Sequence, residues 1–293
     1  MVSRAAERWR AVAVGRALLL VTSALSTIAL SGCRNTPELP QALPLGPATS
    51  AESASVEPHP ASSLAAKAAA PPRLPPLEGA WLEQLKDGER TVLVTPPVGA
   101  VAPSRLIVGV HGAGDRPEWA CGGWRLASQA SSFVVCPQGA RLSPETFAWA
   151  SAQQLAERAD ASVSIVKARY ESYVDSAPFI YAGFSQGATL SEPFLLKNAA
   201  RFPIVILAEG GYAIARSPAF AKGFFAAGGR RVVLVCGGAP CFRSARDAKQ
   251  VLEKANLHVL IVGDEKAGHN LNERMQKALQ AAWPEIAAPL PPG

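Results

Sequence analysis

Hydrophobic and polar positions divide the chain into three regimes. Ala17 to Leu30 is mainly apolar. From 34 to 78 Pro, Ala and Ser dominate, with Pro71-Pro72 and Pro75-Pro76 near the end, and neither a strand period nor a helical period is present. From residue 79 onward short β-rich runs alternate with helical ones. That alternation predicts an α/β domain over 79–293, with a mostly parallel sheet covered by helices on both faces. The predicted strands are Thr91 to Thr95, Arg105 to Val110, Phe133 to Cys136, Phe179 to Ala182, Ile204 to Ala208, Arg231 to Cys236 and His258 to Val262. The predicted helices are Trp124 to Ala130, Ala152 to Tyr173, Gln186 to Asn198, Pro218 to Ala227, Ser244 to Ala255 and Leu271 to Ala282. Near-continuous Val, Ile and Leu content suits strands buried on both sides. No internal repeat appears, and no long insertion follows Glu209, so no large lid domain is expected.

One stretch changes the picture from fold to chemistry. Ala182-Gly183-Phe184-Ser185-Gln186-Gly187-Ala188 is a G-x-S-x-G run placed between a predicted strand and a predicted helix. In that context Ser185 sits on a sharp strand-to-helix turn, and Gly183 and Gly187 lack side chains because the backbone passes close to its neighbours. The turn also puts Ser185 at a helix N-terminus, where free N–H groups favour developing negative charge. A second segment, His111-Gly112-Ala113-Gly114-Asp115, follows the strand Arg105 to Val110. Downstream, His269 lies in Gly268-His269-Asn270 after the last strand, so serine precedes histidine in the chain. Imidazole suits a base that takes a hydroxyl proton and returns it to a leaving group.

The order of elements and these two motifs resemble the α/β-hydrolase superfamily, and most of all its phospholipase/carboxylesterase group, which includes acyl-protein thioesterases. The resemblance covers about residues 90 to 285. It implies a catalytic Ser185 and His269, and an oxyanion hole built from the N–H groups of Ala113 and Gln186. His111 is then structural, orienting the loop. The third member of the triad departs from the pattern: an acid is expected after the strand Arg231 to Cys236, but that loop reads Cys236-Gly237-Gly238-Ala239-Pro240-Cys241 with no carboxylate. Glu209, closing the preceding strand beside two glycines, is the favoured replacement. Asp264, Glu265, Asp247 and a Ser-His dyad without an acid are the alternatives. Asp115-Arg116-Pro117-Glu118-Trp119-Ala120-Cys121 reads either as a pocket wall using Arg116 or Trp119, or as a loop knotted by salt bridges and a disulfide.

The N-terminus changes the expected location. Arg4, Arg8, Arg10 and Arg16 precede the apolar run, as in a secretory signal spanning 1–32. The run ends in Leu30-Ser31-Gly32-Cys33, which resembles the lipobox of bacterial lipoproteins and implies lipidation of Cys33. Residues 33–78 then form a tether of about 40 Å as a coil, anchoring the domain in the cell envelope. Arg34, where an aspartate would favour inner-membrane retention, leans the assignment to the outer membrane. The four arginines against Glu7 supply half of the formal charge of +6, and no Lys/Arg block with interleaved aromatics appears, so no nucleic-acid partner is expected. Apart from Cys33, Cys121, Cys136, Cys236 and Cys241 make an even set in an exported domain, which favours disulfides over a zinc site and allows three pairings. The favoured pairing is Cys121 with Cys136 and Cys236 with Cys241, because in the expected fold both pairs lie near one end of the sheet.

These features together predict a monomeric serine hydrolase of carboxylic esters or thioesters, without metal or cofactor, acting on a small-molecule or lipid-like ester. A catalytically degenerate hydrolase fold serving as a binding or scaffold lipoprotein is the rival, and a peptidase or polyester hydrolase would share the machinery.

Overall fold

The computed structural model describes residues 73–290, apart from Glu89 and Ala177. The expected signal segment, Cys33 and the tether up to residue 72 lie outside the described residues. The end of the expected tether belongs to the packed domain: Leu77 is buried and donates its N–H to Ala100 O, and Leu74 N–H donates to Val101 O, both at 2.9 Å.

Ten strands are formed: β1 (Glu83–Asp87), β2 (Arg90–Thr95), β3 (Leu106–Val110), β4 (Phe133–Pro137), β5 (Ala140–Arg141), β6 (Phe147–Ala148), β7 (Ile180–Phe184), β8 (Ile204–Ala208), β9 (Arg231–Cys236) and β10 (His258–Gly263). The helices are α1 (Pro117–Ala127), α2 (Ala152–Tyr170), α3 (Gln186–Thr189), α4 (Glu192–Asn198), α5 (Tyr212–Ala215), α6 (Pro218–Ala226), α7 (Ala239–Glu253) and α8 (Glu273–Ile286). Eight strands make one sheet in the order β1-β2-β4-β3-β7-β8-β9-β10, and β5 and β6 form a separate small hairpin. From β4 across to β10 the pairs are parallel, and β2 runs against both of its neighbours.

Alternation along each strand feeds two apolar layers. In β3, Leu106, Val108 and Val110 point to the layer that α2, α4, α6 and α7 cover, whereas Ile107 points to the layer under α1 and α8. β8 divides in the same way, Val205 and Leu207 on one side, Ile204, Ile206 and Ala208 on the other. Every residue of β3, β4, β8 and β9 is buried, and each large aliphatic side chain so placed contributes about 1.5–3 kcal/mol. Arg231, at the start of β9, is the polar exception. Its guanidinium donates to the carbonyls of Ile286 and Ala288, both at 2.9 Å, and so fastens the C-terminal end of α8 to the sheet.

Several boundaries differ from the expected ones for identifiable reasons. β1 has a polar sequence, Glu83-Gln84-Leu85-Lys86-Asp87, and is held at the sheet edge mainly by its ladder with β2, with Leu85, its one apolar side chain, packed on the core. α1 begins at Pro117, where a proline favours the first helical turn, and burial of Ala120, Cys121 and Trp124 offsets the cost, about 1 kcal/mol each, of Gly122 and Gly123. The long helix expected over Gln186 to Asn198 is two helices, because Pro193 has no N–H to continue the ladder of α3. α7 starts at Ala239, ahead of the expected Ser244, again with a proline in its first turn.

Candidate active site

The parallel strands deliver their C-terminal ends to one edge of the sheet, and the candidate residues collect there. Ser185 follows β7 directly with φ 51° and ψ −111°, a conformation rare for a residue with a side chain. The turn exists only because its neighbours are glycines. A Cβ on Gly187 would lie 2.6 Å from Val110 O, and one on Gly183 would lie 2.8 Å from Ala188 N, both backbone contacts that cannot yield cheaply. Tyr181, fully buried in β7, donates its hydroxyl to Gly187 O at 2.6 Å and pins the turn from below. Burial pushes that phenol well above its ordinary range, so it stays a neutral donor.

His269 comes from the loop after β10. Its Nε2 lies 2.9 Å from Ser185 Oγ, and its Nδ1 lies 3.2 Å from Glu209 Oε2. The ring packs on Phe184 with centroids 5.0 Å apart. Glu209 follows β8 with φ 49°, and its side chain is only 9 % exposed against 56 % for that of His269. Glu209 Oε1 accepts the N–H of Gly237. With Nδ1 as donor to the carboxylate, Nε2 presents a lone pair to the hydroxyl. The other carboxylates considered from the sequence lie elsewhere. Asp264 pairs with Arg274 at 3.6 Å and accepts from Lys266 N, and Glu265 and Asp247 are exposed. A hydroxyl, an imidazole and a carboxylate in this series can move a proton from oxygen to nitrogen while the carboxylate holds the imidazolium that forms.

Ala113 lies in the loop after β3 and faces the same cavity as Ser185. That loop presses on the serine closely enough that a Cβ on Gly112 would lie 3.1 Å from Ser185 Cβ. Gln186 opens α3, so its N–H belongs to the first turn and has no partner within the helix. Its side chain performs a task the sequence did not disclose: Oε1 accepts from Trp149 N at 2.8 Å while Nε2 donates to Trp149 O at 3.0 Å. Trp149 in turn donates Nε1–H to His111 O at 2.9 Å and stacks on the His111 ring, with centroids 4.8 Å apart. Gly114 N–H donates to Phe147 O and Phe147 N–H to Asp115 O, both at 2.9 Å, which zips the hairpin of β5 and β6 onto the Ala113 loop. Nothing local in the sequence marks Trp149, because its partners are distant in the chain and only the folded hairpin joins them.

His111 is wholly buried. Its Nδ1 donates to Gly112 O at 2.7 Å and its Nε2 accepts from Gly139 N–H at 3.0 Å, which requires the neutral ring. Burial, the dominant cause, lowers its pKa below the ordinary histidine value, against smaller opposing effects of the Gly112 bond, Asp115 and Glu118. The unfolded chain therefore binds this proton more readily than the folded one. The stabilisation is complete above about pH 6.5 and is lost as pH falls toward the folded value. Urea midpoints are expected to drop below pH 6.5 in the native protein, with a smaller drop in His111→Gln over the same interval.

A cavity of about 550 Å³ opens beside Ser185 and His269, with Trp119, Ala120, Leu126, Phe184 and Leu271 supplying an apolar wall. Trp119 is thus in the pocket, on helix α1 rather than on the loop expected from the sequence. Arg116 lies behind it, over the Trp119 ring at 5.6 Å and 3.7 Å from both Glu118 and Glu145. The cysteines pair as Cys121–Cys136, tying α1 to β4, and Cys236–Cys241, tying the end of β9 to the first turn of α7. Among the described residues no three His, Cys, Asp or Glu side chains are grouped as a metal ion requires.

No protein-family model and no curated protein matches this sequence. Solved structures do match in three dimensions. One is an uncharacterised protein from Bacillus cereus ATCC 10987, with a TM-score of 0.51 and 19 % identity over 63 % of this chain and 60 % of that one. A candidate dienelactone hydrolase from Klebsiella pneumoniae subsp. pneumoniae gives 0.51 and 15 % over 71 % of this chain and 98 % of its own. A ferulic acid esterase gives 0.51 and 14 % over 70 % and 96 %. At such identities the likeness speaks for architecture alone. Together with the strand order and the turn at Ser185, it establishes that this chain has the α/β-hydrolase fold, without a large lid among the described residues.

Proposed function

We propose that the protein is a serine hydrolase that cleaves carboxylic esters or thioesters through an acyl-enzyme. The observation that carries this reading is the series Ser185 Oγ, His269 Nε2 at 2.9 Å, and His269 Nδ1 with Glu209 Oε2 at 3.2 Å. Ser185 Oγ attacks the carbonyl carbon as His269 Nε2 takes its proton. The N–H groups of Ala113 and Gln186 receive the oxyanion, and donors fixed in advance at such a position supply several kcal/mol. Collapse expels the alcohol or thiol, which leaves with the proton from His269. Water, deprotonated by the same nitrogen, then releases the acid and restores Ser185. Glu209 holds the imidazole in the tautomer that both half-reactions need.

The apolar wall of Trp119, Leu126, Phe184 and Leu271 favours a small-molecule or lipid-like ester with an uncharged, apolar group on one side of the scissile bond. Glu209 beside His269, in place of the acid missing after β9, supports the hydrolase reading over the scaffold alternative. We further propose lipidation at Cys33 and a tethered domain in the bacterial cell envelope, on the strength of the Leu30-Ser31-Gly32-Cys33 run. A fluorophosphonate probe is expected to add one adduct to the peptide that contains Ser185, located by mass spectrometry. Wild-type protein that neither takes the probe nor turns over a short p-nitrophenyl ester would overturn the hydrolase reading.

A further inference from the structure

The loop after β9 carries no acid, yet it touches both partners of the serine. Gly237 donates its N–H to Glu209 Oε1. Its carbonyl accepts the N–H of Gly268, the residue before His269, at 2.7 Å, and the carbonyl of Cys236 accepts the N–H of Asp264 at 3.1 Å. The approach is backbone against backbone, for a Cβ on Gly237 would lie 1.9 Å from Gly268 O. One short peptide stretch thus seats the carboxylate on one side and the histidine loop on the other.

A covalent bond adds to these hydrogen bonds in restraining that stretch. Gly237 and Gly238 are consecutive glycines, the least restricted backbone a chain can have, and Gly238 offers α7 no side-chain cap. The Cys236–Cys241 bond, with Cα atoms 5.3 Å apart, closes this pair into a small ring on the first turn of α7. We infer that the Cys236–Cys241 disulfide is the positioning element for Glu209 and His269, and that turnover depends on its oxidation state. The inference rests on the hydrolase reading above.

The bond is also placed to be reached. Cys241 lines a cleft of about 380 Å³ together with Glu209, Tyr212, Ser244 and His269. The Cys241 end of the bond is 6 % exposed, whereas Cys236, Cys121 and Cys136 are all fully buried. A dithiol reductant supplies the chemistry. One of its thiolates attacks Cys241 Sγ, the Cys236–Cys241 bond breaks as the mixed disulfide forms, and Cys236 leaves as a thiolate that takes a proton. The reductant's second thiol then closes its own disulfide and frees the Cys241 thiol. Two electrons pass from the dithiol to the protein, and reoxidation reverses them.

The test uses the whole folded protein, a short p-nitrophenyl ester and two routes to loss of the bond. In Cys236→Ser/Cys241→Ser, kcat is expected to fall at least tenfold with KM within twofold of wild type. Glu209→Gln in that background is expected to cost at least tenfold less than in the native protein, because the carboxylate is already unseated. A purely structural bond would give additive losses instead. The second route covers a double variant that fails to fold. Wild type is titrated with dithiothreitol below its melting temperature, and mass spectrometry follows each disulfide. Activity is expected to fall in step with opening of Cys236–Cys241, before Cys121–Cys136 opens, and to return on reoxidation. Four results overturn the inference: additive losses when Glu209→Gln is combined with the serine double variant, kcat within twofold after selective opening of Cys236–Cys241, loss that follows Cys121–Cys136 instead, or a Cys236–Cys241 bond that stays closed in excess dithiol. An unreduced wild type with no turnover and no probe labelling is a different failure, that of the hydrolase reading itself.

Discussion

Ser185→Ala is expected to lower kcat/KM for a short p-nitrophenyl ester by about 10⁴- to 10⁶-fold, the range found when a nucleophile that works as a unit with its base is removed. Alanine fits the site without new contacts, since only the hydroxyl facing His269 Nε2 at 2.9 Å disappears. The fall is therefore expected in kcat, with KM little changed, because the apolar cavity wall of Trp119, Leu126, Phe184 and Leu271 is untouched. Steady-state kinetics with purified variant and wild type reads the ratio, and a loss smaller than tenfold would remove Ser185 from the role of nucleophile. The strained φ of 51° at this position persists in the variant, so thermal unfolding is expected to move little.

Glu209→Gln is expected to lower kcat by about 10³- to 10⁴-fold at neutral pH, for a reason set by Gly237. The N–H of Gly237 claims one oxygen of the side chain. In glutamine that demand fixes the amide oxygen toward Gly237 and turns the NH₂ group toward His269 Nδ1. Nδ1 must then accept, the ring proton moves to Nε2, and Ser185 faces a donor where it needs an acceptor; the wrong tautomer alone costs about four orders of magnitude in a serine protease triad. Asp264→Asn serves as the contrast. Its carboxylate pairs with Arg274 rather than with the imidazole, and kcat is expected to stay within twofold. Equal losses in the two variants would show that Glu209 is not the orienting acid.

Much of this arrangement was legible in the chain because it is written in local pattern. The apolar strands and the G-x-S-x-G turn depend on neighbours in sequence, and the shift from strand to helix at Ser185 follows from Gly183 and Gly187 needing no side-chain room. The order of serine before histidine excludes His111, and His269, in the loop after the last strand, is separated from His258, which begins that strand. Glu209 was visible as a charged residue that ends a buried strand, but only three-dimensional neighbours separate it from Asp264 or Asp247. Features joined across the fold were not legible. β1 is polar and is held mainly by its ladder; α1 and α7 carry prolines in their first turns that a propensity reading treats as loop; the Gln186–Trp149–His111 brace joins segments that meet only after the hairpin of β5 and β6 has folded onto the Ala113 loop.

No large lid covers the candidate site among the described residues, and that bears on which acyl acceptor the proposed mechanism would use. On the proposed mechanism, the acyl group on Ser185 waits in a cleft that bulk solvent enters by the same mouth as the substrate, and His269, more than half exposed, meets that solvent directly. Any competing alcohol or amine must outnumber a nucleophile present everywhere around it. On that mechanism, partitioning is expected to favour release of the free acid over transfer of the acyl group to another alcohol or amine.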